Sequence, residues 1–264
     1  MIICVKMRGL LWSLWNGMKI ENMDVLSYIR AAKKQQSPLL AILIDPDKPE
    51  AYAPLHSSLD QVDLVFVGGS TGNTIEYCID MLRQYTTRPL VLFPGNIAQF
   101  TPKADALLFL SLLNAQTADM LITPHIQMAR AVLQSNIECI PMGYVLLDGG
   151  RRSSVEIVSK CSPISQNDID TILDVAIAGQ LLGKQVIYLE AGSGAKVPVS
   201  CEIIQAVKAQ LNIPLIVGGG ICTPEAMLQA FGAGADVVVI GNHFEQNPDE
   251  IGDFIRIKRE RYGQ

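Results

Sequence analysis

Val186-Ile-Tyr-Leu-Glu-Ala-Gly-Ser-Gly194 is an apolar run that ends in a glycine-rich turn, and two later stretches repeat this pattern. They are Pro214-Leu-Ile-Val-Gly-Gly-Gly220 and Asp236-Val-Val-Val-Ile-Gly-Asn242. Each stretch predicts a buried strand followed by a turn in which glycine lets backbone N–H groups approach a ligand closely. Such turns, at successive strand ends and before helix N-termini, are typical of phosphate sites. The sequence therefore predicts a small phosphorylated ligand at one end of a parallel sheet.

Eight near-continuous runs of Val, Ile and Leu recur along the chain, as expected for parallel strands that are covered on both faces. Helical patterns lie between many of them, for example at 74–85 and 167–182. Ser200 and Thr223 are N-cap residue types before two further helices, and Asp249 opens the last one. This alternation predicts an α/β fold, a single (β/α)8 TIM barrel over residues 24–264. The predicted strands are 39–45, 62–68, 90–94, 106–112, 138–147, 186–190, 215–218 and 237–240.

Two regions depart from the regular alternation. Pro49 and Pro54 interrupt the segment after the first strand, so we expect a degenerate helix or a loop there. Residues 1–23 are interpreted as an N-terminal extension upstream of a start at Met18 or Met23, because their short apolar run lacks a signal-peptide cleavage site. A doubly wound open sheet is the rival fold, which the lack of a Gly-x-Gly-x-x-Gly motif after the first strand disfavours.

The composition narrows the classes of function. The chain has 264 residues, 49% of them hydrophobic, and a net charge of −5. An acidic chain of this kind is not expected to bind nucleic acid. Its six cysteines form no Cys-x-x-Cys pair, which indicates reduced thiols and a cytoplasmic location. No run approaches 18 uninterrupted apolar residues, so no membrane-spanning helix is expected.

Residues with metal and phosphate chemistry follow the first two strands. The first strand ends in Asp45-Pro-Asp-Lys48. A carboxylate that faces a phosphate site is a natural Mg²⁺ ligand, because Mg²⁺ prefers a carboxylate together with substrate phosphate oxygens. An Asx turn around Pro46 is the structural alternative. The second strand ends in Gly68-Gly-Ser-Thr-Gly-Asn-Thr74, where exposed N–H groups and hydroxyls suit phosphate or metal; a plain loop with Asn73 or Thr74 as helix cap is equally compatible.

Tyr188 and Glu190 lie two residues apart on one predicted strand, so both side chains face the same side of the sheet. A Glu that points into a barrel mouth beside phosphate-binding turns is a candidate general base. The Tyr hydroxyl is placed to orient a substrate hydroxyl. The structural alternative is a buried Glu that serves only as a hydrogen-bond acceptor.

Two other groups of residues have more than one interpretation. Arg151 and Arg152 follow two glycines and could grip a diphosphate, although an exposed hairpin tip is the preferred interpretation. A set of apolar residues before the fifth strand forms either core or an apolar groove for a long substrate tail. These residues are Phe100, Met120, Leu121, Ile122 and Met128.

Together these stretches resemble the geranylgeranylglyceryl phosphate synthase family, prenyltransferase barrels that include bacterial heptaprenylglyceryl phosphate synthases. The motif Tyr188-Leu-Glu-Ala-Gly-Ser-Gly194 is the most specific match, and the matches extend from residue 43 to 242. One branch has a lysine where this chain has Leu43, so the chain is similar to the second branch and that lysine contact is not expected. The other matching motifs are Leu43-Ile-Asp-Pro-Asp-Lys48, Val67-Gly-Gly-Ser-Thr-Gly72, Leu92-Phe-Pro-Gly-Asn96, Val217-Gly-Gly-Gly-Ile221 and Ile240-Gly-Asn242.

The resemblance implies an Mg²⁺-dependent reaction. In this reaction the C3 hydroxyl of sn-glycerol 1-phosphate forms an ether with the prenyl group of a polyprenyl diphosphate, and diphosphate is released. The expected prenyl substrate is geranylgeranyl diphosphate. The resemblance also implies that Asp45 and Ser70 hold Mg²⁺, that the protein forms homo-oligomers, and that its lipid product brings it into transient contact with a membrane surface. The residues implied to hold glycerol phosphate are Tyr188, Leu189, Glu190, Ala191, Gly192, Ser193, Gly194, Gly219, Gly220, Gly241 and Asn242.

For the mechanism, we expect Tyr188 to align the C3 hydroxyl and Glu190 to deprotonate it, while the glycine turns fix the phosphate end. Three alternatives remain open. One is another phosphate-binding barrel enzyme, such as a sugar-phosphate isomerase or lyase, for which Lys48 is the only obvious lysine at the mouth. The others are a family member with a different prenyl acceptor and a non-catalytic sensor of a phosphorylated ligand.

Overall fold

Eight parallel strands close into a barrel in the computed structural model, which describes residues 24–69, 74–96 and 98–263. The strands follow chain order around the barrel, and the last pairs with the first, with Ile42 opposite Ile240. The predicted TIM barrel is confirmed, and all eight predicted strands are present. They are β1 (Leu39–Ile44), β2 (Leu64–Val67), β3 (Leu90–Leu92), β4 (Ala106–Leu112), β5 (Glu138–Leu146), β6 (Val186–Glu190), β7 (Leu215–Gly218) and β8 (Val237–Ile240).

The described helices pack around the barrel and cover one of its ends. Ser200 and Thr223 cap their helices as predicted, since their hydroxyls accept the N–H groups of Ile203 at 3.3 Å and Ala226 at 3.1 Å. The helices are α1 (Val25–Gln35), α2 (Pro49–Tyr52), α3 (Ile75–Leu82), α4 (Ala118–Leu121), α5 (Thr123–Ser135), α6 (Ser154–Ser159), α7 (Ile169–Leu181), α8 (Cys201–Gln210), α9 (Pro224–Ala233), α10 (Asn242–Gln246) and α11 (Ile251–Tyr262).

The segment between β1 and β2 is the degenerate helix that the two prolines predict. One α-helical turn, α2, passes into a 3-10 helix at Ala53–Gln61. The last helix begins slightly later than predicted, because Pro248–Glu250 forms a 3-10 turn before α11. Pro49 and Pro248 stand at the first position of their elements, where proline is tolerated because that N–H has no partner within the helix.

The helix α1, which the sequence analysis did not predict, closes the amino-terminal end of the barrel. Tyr28 and Ile29 pack in the same buried cluster as Leu39 and Leu64 inside the barrel. Glu138, at the start of β5, accepts the N–H groups of the first two residues of α1 at 2.6 and 2.9 Å. With this end closed, a ligand enters at the carboxyl ends of the strands.

The connection between β3 and β4 contains no helix in the part that the structure describes, 93–96 and 98–105. Along β4, alternate side chains face the barrel interior or the surrounding helices. Leu107 and Phe109 belong to the outward set and line a cavity that continues from the barrel mouth. The irregular connection therefore lies beside an apolar extension of the site.

Residues 1–23 lie outside the described residues, so the predicted N-terminal extension stays a prediction. Among the helices that the structure describes, none combines the length and apolarity that crossing a membrane requires.

Candidate active site

A cavity of about 740 Å³ opens at the carboxyl ends of the strands. Its polar end is lined by the turns after β6, β7 and β8, including Gly194, Gly219 and Asn242. Its apolar end is lined by β4, α5 and α6, including Leu110 and Met128. One cavity thus joins a polar and an apolar compartment.

The turns after β6, β7 and β8 meet at the polar end, as the sequence predicts. The hydroxyl of Ser193 donates to Oδ1 of Asn242 at 2.8 Å, which joins the turns after β6 and β8. Gly219 has a φ of +84°, and a Cβ there would lie 2.4 Å from Oε1 of Glu190 and 2.7 Å from the nitrogen of Gly192. Only glycine fits this position, because the backbone is left-handed and the space is occupied. The result is a pocket walled by backbone, which suits a phosphate group.

Glu190 lies in the wall of the cavity with 8% of its surface exposed. Burial raises the pKa of its carboxyl to about 7, against the lowering effect of hydrogen bonds from the Tyr188 hydroxyl and the Gly192 N–H. The Gly192 N–H donates to Oε1 at 2.7 Å. Near neutral pH a carboxyl group with this pKa is divided between its two protonation states and can take up a proton. Glu190 accepts this structural hydrogen bond and also lines the cavity, while its role as a general base stays a prediction.

Tyr188 is held by an aromatic stack inside the barrel. Its ring centroid lies 5.4 Å from that of Phe93 and 5.3 Å from that of Tyr144. A Cβ on Gly218 would lie 2.1 Å from the Tyr188 hydroxyl oxygen, so the backbone of β7 packs directly against the phenol. Burial and the neighbouring Glu190 raise the pKa of Tyr188 well above its usual value. The phenol therefore stays protonated and can donate a hydrogen bond.

Asp45 lies at the carboxyl end of β1 and faces the same cavity. Its Oδ1 accepts the N–H of Asp47 at 3.1 Å, which is the Asx turn that the sequence allowed as an alternative. Its Oδ2 lies 3.3 Å from Nζ of Lys48, and the same ammonium pairs with Glu245 at 2.8 Å. The carboxylate thus lines the cavity and already attracts a cationic group.

The turn after β2 does not present all of its backbone N–H groups to the cavity, although one of its two interpretations predicted that it would. The Gly68 N–H donates to the carbonyl oxygen of Ile44 at 3.0 Å, and the Gly69 N–H donates to Oε1 of Gln99 at 3.4 Å. The expectation that the glycines of this turn expose their N–H groups to a ligand is therefore wrong for Gly68 and Gly69, whereas Gly72 lies outside the described residues. The groups are taken up by protein acceptors that the sequence pattern does not reveal.

Thr74 does not cap α3, contrary to the other interpretation of this turn. Its hydroxyl instead donates to the carbonyl oxygen of Pro46 at 3.1 Å, and its side chain makes no hydrogen bond to the N-terminus of the helix. Ser70 and Asn73 lie outside the described residues, so their predicted roles stay predictions.

Comparisons with known proteins identify the family. A sequence model described as the PcrB family matches residues 32–258, most of the chain. This chain belongs to the PcrB family. It is 48% identical over 226 residues to the geranylgeranylglyceryl phosphate synthase of Zunongwangia profunda, covering 84% of this chain and 97% of that protein. It is 45% identical over 225 residues to the enzyme of the same name from Flavobacterium johnsoniae, covering 83% and 93%.

A solved structure resembles the barrel of this PcrB family member closely. It is the crystal structure of (S)-3-O-geranylgeranylglyceryl phosphate synthase from Thermoplasma acidophilum in complex with the substrate sn-glycerol-1-phosphate. The TM-score is 0.83 at 32% identity, and the match covers 90% of this chain and 99% of that chain. The resemblance predicted from the motifs is confirmed, and with it the enzyme class, a prenyltransferase.

Most of the site residues predicted for this PcrB family barrel lie together. Gly192 contributes an N–H to Glu190 rather than to the cavity wall. Leu189 and Ala191 are buried in the apolar layer between strands and helices, so their side chains point away from the cavity. The predicted residues that line the cavity are Asp45, Tyr188, Glu190, Ser193, Gly194, Gly219, Gly220, Gly241 and Asn242.

The prediction of a hairpin tip at Arg151 and Arg152 is wrong, because the segment leads from β5 into the short helix α6. Arg152 lies 3.3 Å from Glu156 in an exposed ion pair. The guanidinium of Arg151 lies beside Gly194, at 3.3 Å from where a Cβ would stand. Arg151 therefore neighbours the polar end of the cavity.

The apolar end is built from residues that sequence reasoning largely missed. Met128 lines it as predicted, whereas Phe100 packs against the core and Ile122 is exposed. Leu121 is half-buried, and the side chain of Met120 lies outside what is described. Leu108, Leu110 and Leu112 of β4 and Val155 and Val158 of α6 also line it.

Proposed function

We propose that this protein joins a geranylgeranyl or related polyprenyl group to the C3 hydroxyl of sn-glycerol 1-phosphate and releases diphosphate. The observation that carries the proposal is the position of Glu190. This carboxyl has a raised pKa and lines the cavity that joins a pocket of backbone turns to an apolar compartment. A reaction between a small phosphorylated alcohol and a long hydrocarbon needs this combination.

The polar end is assigned to glycerol phosphate. Gly219 and Gly220 have positive φ and bring bare backbone to the cavity, while Ser193 and Asn242 add a hydroxyl and an amide. The substrate named for the Thermoplasma acidophilum structure supports this assignment. Fixing the phosphate at one end presents the C3 hydroxyl at the other, and this positioning lowers the barrier.

Glu190 is assigned as the general base. In the reaction the bond between C1 of the prenyl group and its diphosphate oxygen breaks, and C1 bonds to the glycerol oxygen. The hydroxyl proton passes to Glu190 and the electron pair of the broken bond leaves with diphosphate. The Tyr188 phenol, which stays protonated, orients the reacting oxygen beside this carboxylate.

Asp45 and Ser70 are assigned to a magnesium site. Asp45 fits this role because its carboxylate lines the cavity and pairs with the Lys48 ammonium at 3.3 Å, and this ion pair supports a cation at the position. No cluster of three or more potential metal-ligating His, Cys, Asp or Glu residues occurs among the described residues. The Asp45 carboxylate at the cavity wall suits Mg²⁺, which commonly uses one or two carboxylates together with substrate phosphate oxygens. When bound, the ion would neutralise charge on the diphosphate leaving group.

The apolar end is assigned to the prenyl chain. Side chains from β4 and α6 give this compartment a hydrocarbon wall, and a hydrocarbon chain gains free energy on leaving water for it. The preferred chain length stays a prediction, as do self-association, contact with a membrane surface and a cytoplasmic location.

The test is a product assay on the wild-type protein with sn-glycerol 1-phosphate, Mg²⁺ and farnesyl, geranylgeranyl or heptaprenyl diphosphate. We expect mass spectrometry to detect a prenylglyceryl phosphate that disappears when EDTA is added. Absence of an ether product with all three diphosphates would overturn the proposal. Binding of glycerol phosphate without turnover would favour the sensor, and turnover only with another alcohol would favour a different acceptor.

A further inference from the structure

Gln99 is a buried carboxamide in the connection between β3 and β4 to which the proposed reaction gives no role. Its side chain is 0% exposed. Burying a carboxamide costs free energy unless its polar atoms form hydrogen bonds. The local turn directs it inward, because the Asn96 carbonyl accepts the Gln99 N–H at 3.2 Å and Oδ1 of Asn96 accepts the Ala98 N–H at 2.8 Å.

The side-chain oxygen of Gln99 links the ends of two neighbouring strands. Oε1 accepts the Gly95 N–H at 2.9 Å and, more weakly, the Gly69 N–H at 3.4 Å. Gly69 follows β2 and Gly95 follows β3. Two residues earlier on each side, β2 and β3 are still joined, because the Phe93 N–H donates to the Val67 carbonyl oxygen at 2.9 Å. The carboxamide thus extends the pairing of these strands into their turns.

The turn that Gln99 holds packs against Asp45. A Cβ on Gly69 would lie 2.4 Å from Oδ1 of Asp45, so the Gly69 backbone is in direct contact with this carboxylate. Asp45, Gly69 and Gly95 all line the cavity, whereas Gln99 is buried behind them. A chain of contacts therefore runs from Gln99 through Gly69 to the carboxylate.

We infer that Gln99 is a positioning residue for the diphosphate half of the site, because it fixes the Gly69 and Gly95 turns that hold the Asp45 carboxylate in place. The inference rests on the proposed function, which assigns the metal and the diphosphate to Asp45. Glycerol phosphate is assigned to the turns after β6, β7 and β8, which are separate segments of the chain. A change of Gln99 should therefore weaken the binding of diphosphate more than the binding of glycerol phosphate.

The experiment compares Gln99→Met with the wild-type protein and with Thr101→Val. Methionine preserves the length of the side chain and removes the acceptor oxygen. Thr101 is a matched control, since it is 1% exposed in the same connection and its hydroxyl accepts the local Lys103 N–H at 3.4 Å. Two ligands are titrated into each protein by isothermal titration calorimetry, in separate experiments. One is inorganic pyrophosphate in the presence of Mg²⁺, and the other is sn-glycerol 1-phosphate.

In Gln99→Met we expect the dissociation constant of pyrophosphate to rise about tenfold, the scale of one or two lost hydrogen bonds. The dissociation constant of glycerol phosphate should stay within about twofold in both variants. Gln99→Asn keeps the carboxamide and withdraws its oxygen by one methylene, so it should show the same selective loss if the methionine variant fails to fold.

Equal weakening of both ligands, or of neither, would overturn the inference while leaving the proposed function in place. Wild-type protein that binds neither pyrophosphate with Mg²⁺ nor glycerol phosphate would overturn the proposed function, and the inference with it.

Discussion

The hydroxyl of Tyr188 is hydrogen-bonded to the carboxylate of Glu190, two residues further along the same strand. The backbone of β7 packs against both groups, because a Cβ on Gly218 would lie 2.1 Å from the phenol oxygen and 3.0 Å from Oε2 of Glu190. The pair is therefore held in one arrangement by the fold itself. A general base that is already in place lowers the cost of reaching the transition state.

The pH dependence of turnover follows from the pKa of Glu190. Burial raises this pKa from its ordinary value of 4.5 to about 7. Only the ionised carboxylate can accept a proton, so kcat/KM should rise with pH and level off once pH passes about 7. The measurement is a pH–rate profile at saturating Mg²⁺. A rising limb near 4.5 instead would show that Glu190 titrates like an exposed carboxyl group or is not the base.

The contribution of Glu190 to the free energy of unfolding should fall as pH rises, whereas kcat/KM rises. Because the folded-state pKa of Glu190 lies above its unfolded value, the stabilising contribution is fully present below about pH 4.5 and is lost as pH rises through about 7. Glu190→Gln removes this contribution. Denaturant unfolding at a series of pH values in that interval should therefore show that the unfolding free energy falls less steeply with pH in the variant than in the wild type. Identical slopes in the two proteins would contradict the raised pKa.

Tyr188→Phe should move the activity profile to higher pH. The Tyr188 hydroxyl lowers the pKa of Glu190 through its hydrogen bond. Without that hydroxyl, burial raises the pKa of Glu190 further. The phenyl ring retains the stacking on Phe93 and Tyr144, which protects the fold. We expect an upward shift of the rising limb and lower turnover at neutral pH. A downward shift would mean that the phenol does not bond the carboxylate during turnover.

Gly218→Ala tests the contact of β7 with Tyr188 and Glu190. The new methyl group would collide with the Tyr188 hydroxyl oxygen, so we expect a loss of about 1–3 kcal/mol in unfolding free energy and at least about tenfold in kcat. Gly252→Ala in α11 is the control, because a Cβ there meets nothing within 4 Å. That control should keep full activity and be unchanged or up to about 1 kcal/mol more stable. Equal effects of the two substitutions would refute the contact.

Val158→Asp tests the assignment of the apolar compartment. Val158 lines the cavity and is 60% exposed, so a charge there should be tolerated by the fold. It should raise KM for the prenyl diphosphate by roughly tenfold, since a hydrocarbon chain would then pack against a carboxylate. Ile157→Asp is the matched control on the same helix, 55% exposed and outside the cavity lining. A larger effect from Ile157→Asp would place the chain elsewhere.

The strands and the glycine turns could be predicted because their signals are local. A run such as Val237–Ile240 is too apolar to be exposed, and the glycines that follow mark its end. The contacts that complete the site join distant parts of the chain. Lys48 meets Glu245 across 197 positions, and the oxygen of Gln99 reaches Gly69 across 30. No periodicity in the sequence reports such pairs.

Helix α1 illustrates the same limit for the fold. Its role as the closure of the barrel depends on Glu138, more than 110 residues later in the chain, which accepts the first N–H groups of the helix. Tyr144 was likewise visible as part of an apolar strand, but its stacking on Tyr188 depends on the register between β5 and β6. Strand register is set by the closed barrel rather than by either strand alone.

The most direct test of the central claim is a comparison of wild type and Glu190→Gln in two measurements on the same preparations. Glutamine preserves the shape of the side chain and cannot accept the hydroxyl proton. We predict that ether formation falls by about 10²- to 10⁴-fold, the usual contribution of a general base, while the calorimetric affinity for sn-glycerol 1-phosphate stays within about threefold. Turnover within a few-fold of wild type in Glu190→Gln would contradict the assignment of Glu190 as the base.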